Sequence, residues 1–286
     1  CRDEDISPRK KCPMGSNAVL PSLNRAFSAA EVSMSLTEAG LLPGRVGMIV
    51  RLYAEHHSWS AVKEKWHEER IHERGSRGSA QKIFRILKRR LQSGGKRLPS
   101  VTDLHSLVQE CPTEQAKAQL FYFYLIREDN LFRFVLHEVL RRQGTERSEW
   151  HLTTGEIVSV LDHFEYEDGS GLQYADSTLQ RWGRGFRSVL RDIGVLKGPY
   201  DENGVVPSVD ETPAHVGALY SWHEDGKEWP DRPIGWLYLF QPPAYRETLL
   251  DMIQSSGRWT TSQLRDQSVI APADREEESV REEESV

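Results

Sequence analysis

The stretch from Thr113 to Gly144 constrains this chain more than any other. Its centre reads Phe121-Tyr-Phe-Tyr-Leu-Ile126, and apolar residues fall on every side of a helix drawn through it. A surface helix keeps one polar face, so a helix that is apolar all round must be wrapped by other elements. Asp129-Asn130 interrupts the pattern, which predicts two central core helices broken at that point. With 286 residues the chain has ample sequence to cover such a pair. It contains no apolar run of 18 residues, so the segment reads as a protein core and not as a membrane span.

Helical periodicity continues on both sides of this centre. Val46, Ile49, Val50 and Tyr53 recur at i, i+3, i+4, i+7 and predict a helix over 44–57. A second helix is expected from about Ser60 through Trp66 to Ile71. After a turn at Arg74–Ser79, a third runs from Ala80 to Gln92 with Ala80, Ile83, Phe84, Leu87 and Leu91 on its buried face. Residues 101–111 read as a short helix. Thr153-Thr-Gly-Glu156 is a capping box opening a helix to about Phe164, and Ser177–Ile193 forms a long helix beyond it. Gly198–Gly204 is turn chemistry between short β-like stretches, placed where a winged helix carries its wing. Residues 216–222 and 234–240 read as strands, Pro242-Pro243 leads into a helix ending near Ser255, and Thr260 with Gln263 suggests a final capped helix.

The expected fold class is therefore mainly α, with two helix-turn-helix or winged-helix-like subdomains around the central helix pair and a small α+β C-terminal extension. The divisions expected are a flexible segment 1–32, a first helical subdomain 33–100, the central helices 101–145, a second subdomain 146–210, the extension 211–273 and an acidic, disordered tail 274–286. Residues 1–20 are charged and broken by Pro8 and Pro13, unlike a secretory signal. Cys1, Cys12 and Cys111 are too few and too scattered for a disulfide framework or a zinc site. These features lead us to expect a cytoplasmic protein that neither spans nor binds a membrane.

Searches for catalytic chemistry return little. His67-Glu-Glu-Arg-Ile-His72 spaces its histidines five apart, whereas one metal on a helix needs i and i+4. Gly75–Ser79 lacks the Gly-Lys-Ser/Thr ending of a phosphate-cradling loop, and Arg97 follows Gly95-Lys96 where a hydroxyl would be needed. No Gly-x-Ser-x-Gly elbow occurs. Cys111 lies on an apolar helix and reads as core. The expectation is a non-enzyme without cofactor, metal or small-molecule substrate.

Charge tells more. The net charge of −6 is unevenly spread: residues 1–197 hold 30 Lys and Arg against 25 Asp and Glu, residues 198–273 hold 5 against 11, and residues 274–286 hold 2 against 7. Within the basic part, 74–102 carries nine cations and no acid, namely Arg74, Arg77, Lys82, Arg85, Lys88, Arg89, Arg90, Lys96 and Arg97. Ordinary surface helices mix signs because like charges at i and i+4 repel. Lys82, Arg85 and Arg89 fall opposite the apolar stripe, with Ser79 and Gln81 beside them, so this helix is suited to a DNA groove. A solvated basic helix is the competing reading. The second candidate is Arg181, Arg184, Arg187 and Arg191, opposite Leu179, Trp182, Phe186, Leu190 and Ile193, with a helix that simply caps the core as the competing reading. Gly183 and Gly185 weaken that helix and permit close approach to a neighbouring helix or a phosphate. Few Asn or Gln flank these arginines, Gln81 and Gln180 excepted, so phosphate contact with low sequence specificity is expected. The aromatic residues of 220–240 sit among Glu224, Asp225, Glu228 and Asp231, which favours core or protein contact over base stacking.

Three stretches carry a family resemblance: Ser35-Leu-Thr-Glu-Ala-Gly-Leu-Leu42, then Leu52-Tyr-Ala-Glu-x-x-x-Trp59-x-x-Val62, then Glu69-Arg-Ile-x-Glu-Arg-x-Ser-x-x-Ser79-x-x-Lys82-Ile-x-Arg85-x-x-x-x-Arg90-Leu91. Together with the aromatic middle and the Ser177–Leu196 helix they resemble the BrxA family of bacteriophage-exclusion (BREX) antiviral defence systems, over roughly residues 33–197. The resemblance implies a mostly helical protein similar to the RNA-binding antitermination factor NusB. It also implies two helix-turn-helix-like subdomains, double-stranded DNA as ligand, contact through the Ser79-x-x-Lys82-x-x-Arg85 face, and other BREX components as candidate partners. RNA binding, or a structural adaptor role in which the basic helices dock an acidic partner or the chain's own tail, are the alternatives. Residues 198–286 and the N-terminal segment have no counterpart in the resemblance.

Overall fold

A computed structural model describes residues 27–71, 76–93, 97–144, 146–224, 233–264 and 267–273. The fold is mainly helical. In chain order the helices are α1 (Pro43–His56), α2 (Trp59–Glu68), α3 (Arg77–Ser93), α4 (Val101–Glu110), α5 (Glu114–Glu128) and α6 (Asn130–Gln143). After strand β1 (Glu149–His151) come α7 (Thr154–Leu161), α8 (Asp176–Asp192) and strand β2 (Asn203–Val205). The chain continues with α9 (Glu211–Glu224), α10 (Ile234–Tyr238), α11 (Arg246–Ser255) and the antiparallel pair β3 (Trp259–Leu264) and β4 (Gln267–Pro272).

The central pair forms as its sequence demands. Ten consecutive-to-near residues of α5, including Leu120 to Ile126, are buried, and so is most of α6. Asp129 separates them by acting as the N-cap of α6, its carboxylate accepting the Phe132 amide at 3.0 Å. Phe132 then stacks against Phe186 of α8 at 4.8 Å, and Tyr122 donates to the Tyr238 carbonyl at 3.1 Å. A large apolar cluster consequently runs from Phe27 to Phe240 through α1 to α10. The Thr153–Glu156 capping box of α7 is present in both directions.

Several expectations change. The last residues of the supposedly flexible segment 1–32 are packed: Phe27 is buried on Phe164, and its backbone bridges Tyr166. Residues 1–26 and the acidic tail 274–286 lie outside the described residues. The expected wing does not fold as a local hairpin. β2 instead pairs antiparallel with β1, Trp150 opposite Gly204, reaching back across α7 and α8. Residues 216–222 lie in α9, and 234–240 form the short helix α10 to Tyr238 followed by a turn, so neither stretch is a strand. Every residue from Thr212 to Trp222 is buried, so α9 has no polar face and hence no period to betray it. The helix anticipated at Thr260 is β3. Its β-branched Thr260 and Thr261 pair with Ala271 and Ile270, and the Thr/Gln spacing that mimicked a cap is incidental.

The C-terminal region packs as a second layer over α5. A smaller apolar cluster joins Ala214, Trp222 and Trp236 to α11 and Trp259. α9 and α10 meet backbone to backbone: a Cβ on Gly235 would lie 2.1 Å from the Gly217 carbonyl oxygen, so only glycine fits. Ser221 fastens the crossing, donating to the Gly217 carbonyl at 2.9 Å and accepting the Gly235 amide at 2.8 Å. Phe123 of α5 meets Tyr220 of α9 at 5.7 Å.

Candidate nucleic-acid interface

α3 begins at Arg77, earlier than the sequence suggests, so Arg77 and Ser79 belong to its first turn. Ser76 precedes the helix, its hydroxyl accepting the Ser79 amide at 3.2 Å. Ala80, Ile83, Phe84, Leu87 and Leu91 are buried, and the Trp66 indole of α2 donates to the Ala80 carbonyl at 3.0 Å. That contact and the Trp66–Phe84 packing at 5.7 Å seat α3 on α2. The opposite side exposes Arg77, Ser79, Gln81, Lys82, Arg85 and Arg89, with Lys88 half-buried. Arg74 lies outside the described residues.

Two open depressions flank this outward ridge. One, of about 530 Å³, is lined by Lys63, Gly78, Gln81, Lys82, Phe84, Arg85 and Lys88, four cations and no acid among the described residues. The other, of about 460 Å³, is lined by Ser33, Met34, Ser35, Glu38, Lys82, Arg85, Ile86 and Arg89. Lys82 and Arg85 border both. Lys63, on the exposed side of α2, escapes the sequence argument because it belongs to another helix and to no run of cations.

The nine-cation run is not all solvent-facing. Arg90 is buried and donates to the carbonyls of Gly40 at 2.6 Å and Ala39 at 2.8 Å. Arg89 pairs with Glu128 at 2.6 Å, Lys82 pairs with Glu38, and Lys88 lies 5.3 Å over the Trp59 ring. Burial pushes the Glu128 and Asp129 carboxyls up, Glu128 further through its neighbour Asp129, while the Phe132 amide, Arg90 and Ser35 hold Asp129 down in part. Arg90 therefore serves the core, bracing α3 against the segment 35–42. Among the described residues, Arg77, Arg85 and Lys63 make no ion pair.

The second basic helix divides differently. Arg181 and Arg184 are exposed and Arg191 is half-buried, and none of the three makes an ion pair among the described residues. Arg187 turns inward: its guanidinium donates to the Asp201 carbonyl at 2.6 Å and to the Thr154 hydroxyl at 3.5 Å, binding the loop before β2 to α7. Part of its guanidinium is thereby committed to the fold. The two glycines serve packing. A Cβ on Gly183 would lie 3.0 Å from the Thr154 methyl, and one on Gly185 would lie 3.1 Å from the Leu36 carbonyl oxygen.

The segment 33–42 thus lies between the two basic helices. Leu36 packs on Gly185 of α8, Glu38 meets Lys82 of α3, and Ser35 donates to Asp129 at 3.0 Å. Among the described residues there is no cluster of three or more His, Cys, Asp or Glu side chains able to hold a metal ion, and no helix is long and apolar enough to cross a membrane.

This connecting segment, α1 to α3, the central pair and α8 all fall within residues 30–209, which match the sequence profile of the BrxA family. The chain belongs to the BrxA family. Membership makes it a component associated with BREX antiviral defence. No curated protein sequence matches it. Among solved structures it is similar to the crystal structure of an uncharacterized protein from Magnetospirillum magneticum, with a TM-score of 0.53 and 13% identity, over 74% of this chain and 98% of that one. At that identity the similarity concerns the fold alone. The BrxA match ends just before α9, so the C-terminal layer lies beyond it.

Proposed function

We propose that this BrxA-family chain is a non-catalytic, cytoplasmic component of a BREX system that binds double-stranded DNA through phosphate contacts, with low sequence specificity. The observation that carries the reading is the α3 ridge: Arg77, Lys82 and Arg85 project outward beside a depression lined, among the described residues, by four cations and no carboxylate. A helix with one face on the core and cations on the other is the form that enters a major groove in helix-turn-helix proteins, with the preceding helix set against the backbone. In that arrangement α2 brings Lys63 to the phosphates. Arg181, Arg184 and Arg191 of α8 supply the second contact, while Arg187 shapes its support.

Anisotropy of a labelled 30-base-pair duplex across a salt series tests the proposal. With six to ten phosphate contacts, affinity should fall by about 10³–10⁵ between 50 and 200 mM salt. Absence of duplex binding at 50 mM salt refutes it. Tighter binding to a hairpin RNA of matched length would turn the assignment to RNA, and binding only to acidic protein partners of the defence system would make the ridge a docking face.

A further inference from the structure

The two depressions beside α3 have the same two cations on their shared border but opposite treatment of charge. The α2 side has Lys63, Lys82, Arg85 and Lys88 and, among the described residues, no acid. On the other side Glu38 stands among Lys82, Arg85 and Arg89 and pairs with the Lys82 ammonium. We infer that Glu38 is a built-in competitor for nucleic-acid phosphate at Lys82, which weakens binding on that flank and makes the two flanks of the ridge unequal. The inference rests on the proposed DNA-binding role of α3 and deepens it by assigning a restraint to the same site.

The backbone around Glu38 shows why this acid persists as a competitor. Its amide donates to the Ser35 carbonyl at 3.0 Å, Ser35 is held by Asp129, and the next two carbonyls, of Ala39 and Gly40, are held by Arg90. Leu36 is wedged under α8. The segment is anchored on both sides of Glu38, so an arriving phosphate displaces the side chain only, and the carboxylate stays within its reach. Phosphate binding at Lys82 therefore breaks the Lys82–Glu38 pair and brings the phosphate near one like charge. The Lys82 side chain is half exposed and Glu38 about one-third exposed, so the contact is open enough to exchange. Removing the charge at 38 should then add one releasable counterion to the interaction, which appears as a steeper dependence on salt.

The test compares wild type, Glu38→Gln, Lys82→Gln and the Glu38→Gln/Lys82→Gln pair, with Glu55→Gln as a control that alters net charge equally on α1. Each is titrated with the 30-base-pair duplex and, separately, with inorganic polyphosphate across the salt series, after a thermal melt. Glu38→Gln is expected to tighten duplex binding about three- to tenfold at 100 mM salt and to steepen the logarithmic salt slope by about 0.9. The gain should shrink in the Lys82→Gln background and be absent in Glu55→Gln. Duplex binding that is unchanged by Glu38→Gln, or raised equally by Glu55→Gln, overturns the inference while leaving the DNA assignment standing. If neither protein binds duplex but Glu38→Gln gains polyphosphate affinity through Lys82, the DNA assignment falls and the competitor role stands. Binding of neither probe by either protein refutes both.

Discussion

α3 and α8 carry nearly the same sequence pattern, cations at helical spacing opposite an apolar stripe, yet their neighbours use it differently. On α3 the helix before it and the segment 33–38 stop short of the ridge and leave open depressions on both sides, so Arg77 and Arg85 point outward and make no ion pair among the described residues. On α8 the loop before β2 closes over one side and takes Arg187 as its anchor, while Gly183 and Gly185 let α7 and Leu36 approach the helix directly. Amphipathic spacing therefore tells which side of a helix leaves the core. What later chain segments lay across that side decides whether its charges meet solvent.

The largest effect that separates the helices should come from charge reversal. Lys82→Glu with Arg85→Glu is expected to weaken duplex binding by at least about a hundredfold with only a small fall in melting temperature, because both side chains point away from the core and the Lys82–Glu38 pair that is lost is open to solvent. Arg184→Glu with Arg191→Glu should weaken it less. Equal losses from the two pairs in anisotropy titrations would erase the distinction drawn between the helices. Next in size is Arg187→Ala, which removes the bridge from Asp201 to Thr154 and should cost about 1–2 kcal/mol in denaturant unfolding. The exposed Arg184→Ala should cost almost nothing. Gly185→Ala follows: helix propensity alone would favour alanine by about 1 kcal/mol, but the 3.1 Å approach to Leu36 should reverse the sign. A raised melting temperature would show that Leu36 yields.

The smallest effect concerns Asp192, the last residue of α8, whose carboxyl burial pushes up to about 6, with Arg191 opposing. A negative charge at a helix C-terminus is also disfavoured by the helix dipole. The raised value means that the folded state holds this proton more tightly than the unfolded chain. The contribution is therefore present below about pH 4 and is lost as pH rises through about 6. Asp192→Asn should be neutral at pH 4 and stabilising at pH 7.5, on the order of 1 kcal/mol after allowing for the partial exposure of the site. Paired melts at the two pH values measure it.

The sequence reveals those parts of the fold in which one face of an element differs from the other. The buried stripe of α3, the capping box of α7 and the break at Asp129 are all local signals, and each corresponds to a feature of the structure. α9 and α10 were misread because they are enclosed, and an apolar run without a polar side reads equally well as a strand. The pairing of β1 with β2 depends on contact between residues about fifty positions apart, with Trp150 opposite Gly204, and no local signal encodes it. In the candidate site, the exposed positions of α3 were legible from spacing. The loss of Arg90 to the core, the inward turn of Arg187, the contribution of Lys63 and the acids Glu38 and Glu128 all arise from elements distant in sequence.

The layer formed by α9 over α5 bears on how the chain is made. Phe123 leaves the ribosome about a hundred residues before Tyr220, the ring that covers it, and the Gly217–Gly235 crossing is completed later still. At roughly 5–20 residues per second the aromatic centre waits on the order of 5–20 s for its cover. During that interval only the face of α5 that α9 covers lacks its partner, since α1, α3 and α6 also pack on this helix and are made before or directly after it. Protection of the growing chain is therefore expected to matter most at this one face of α5.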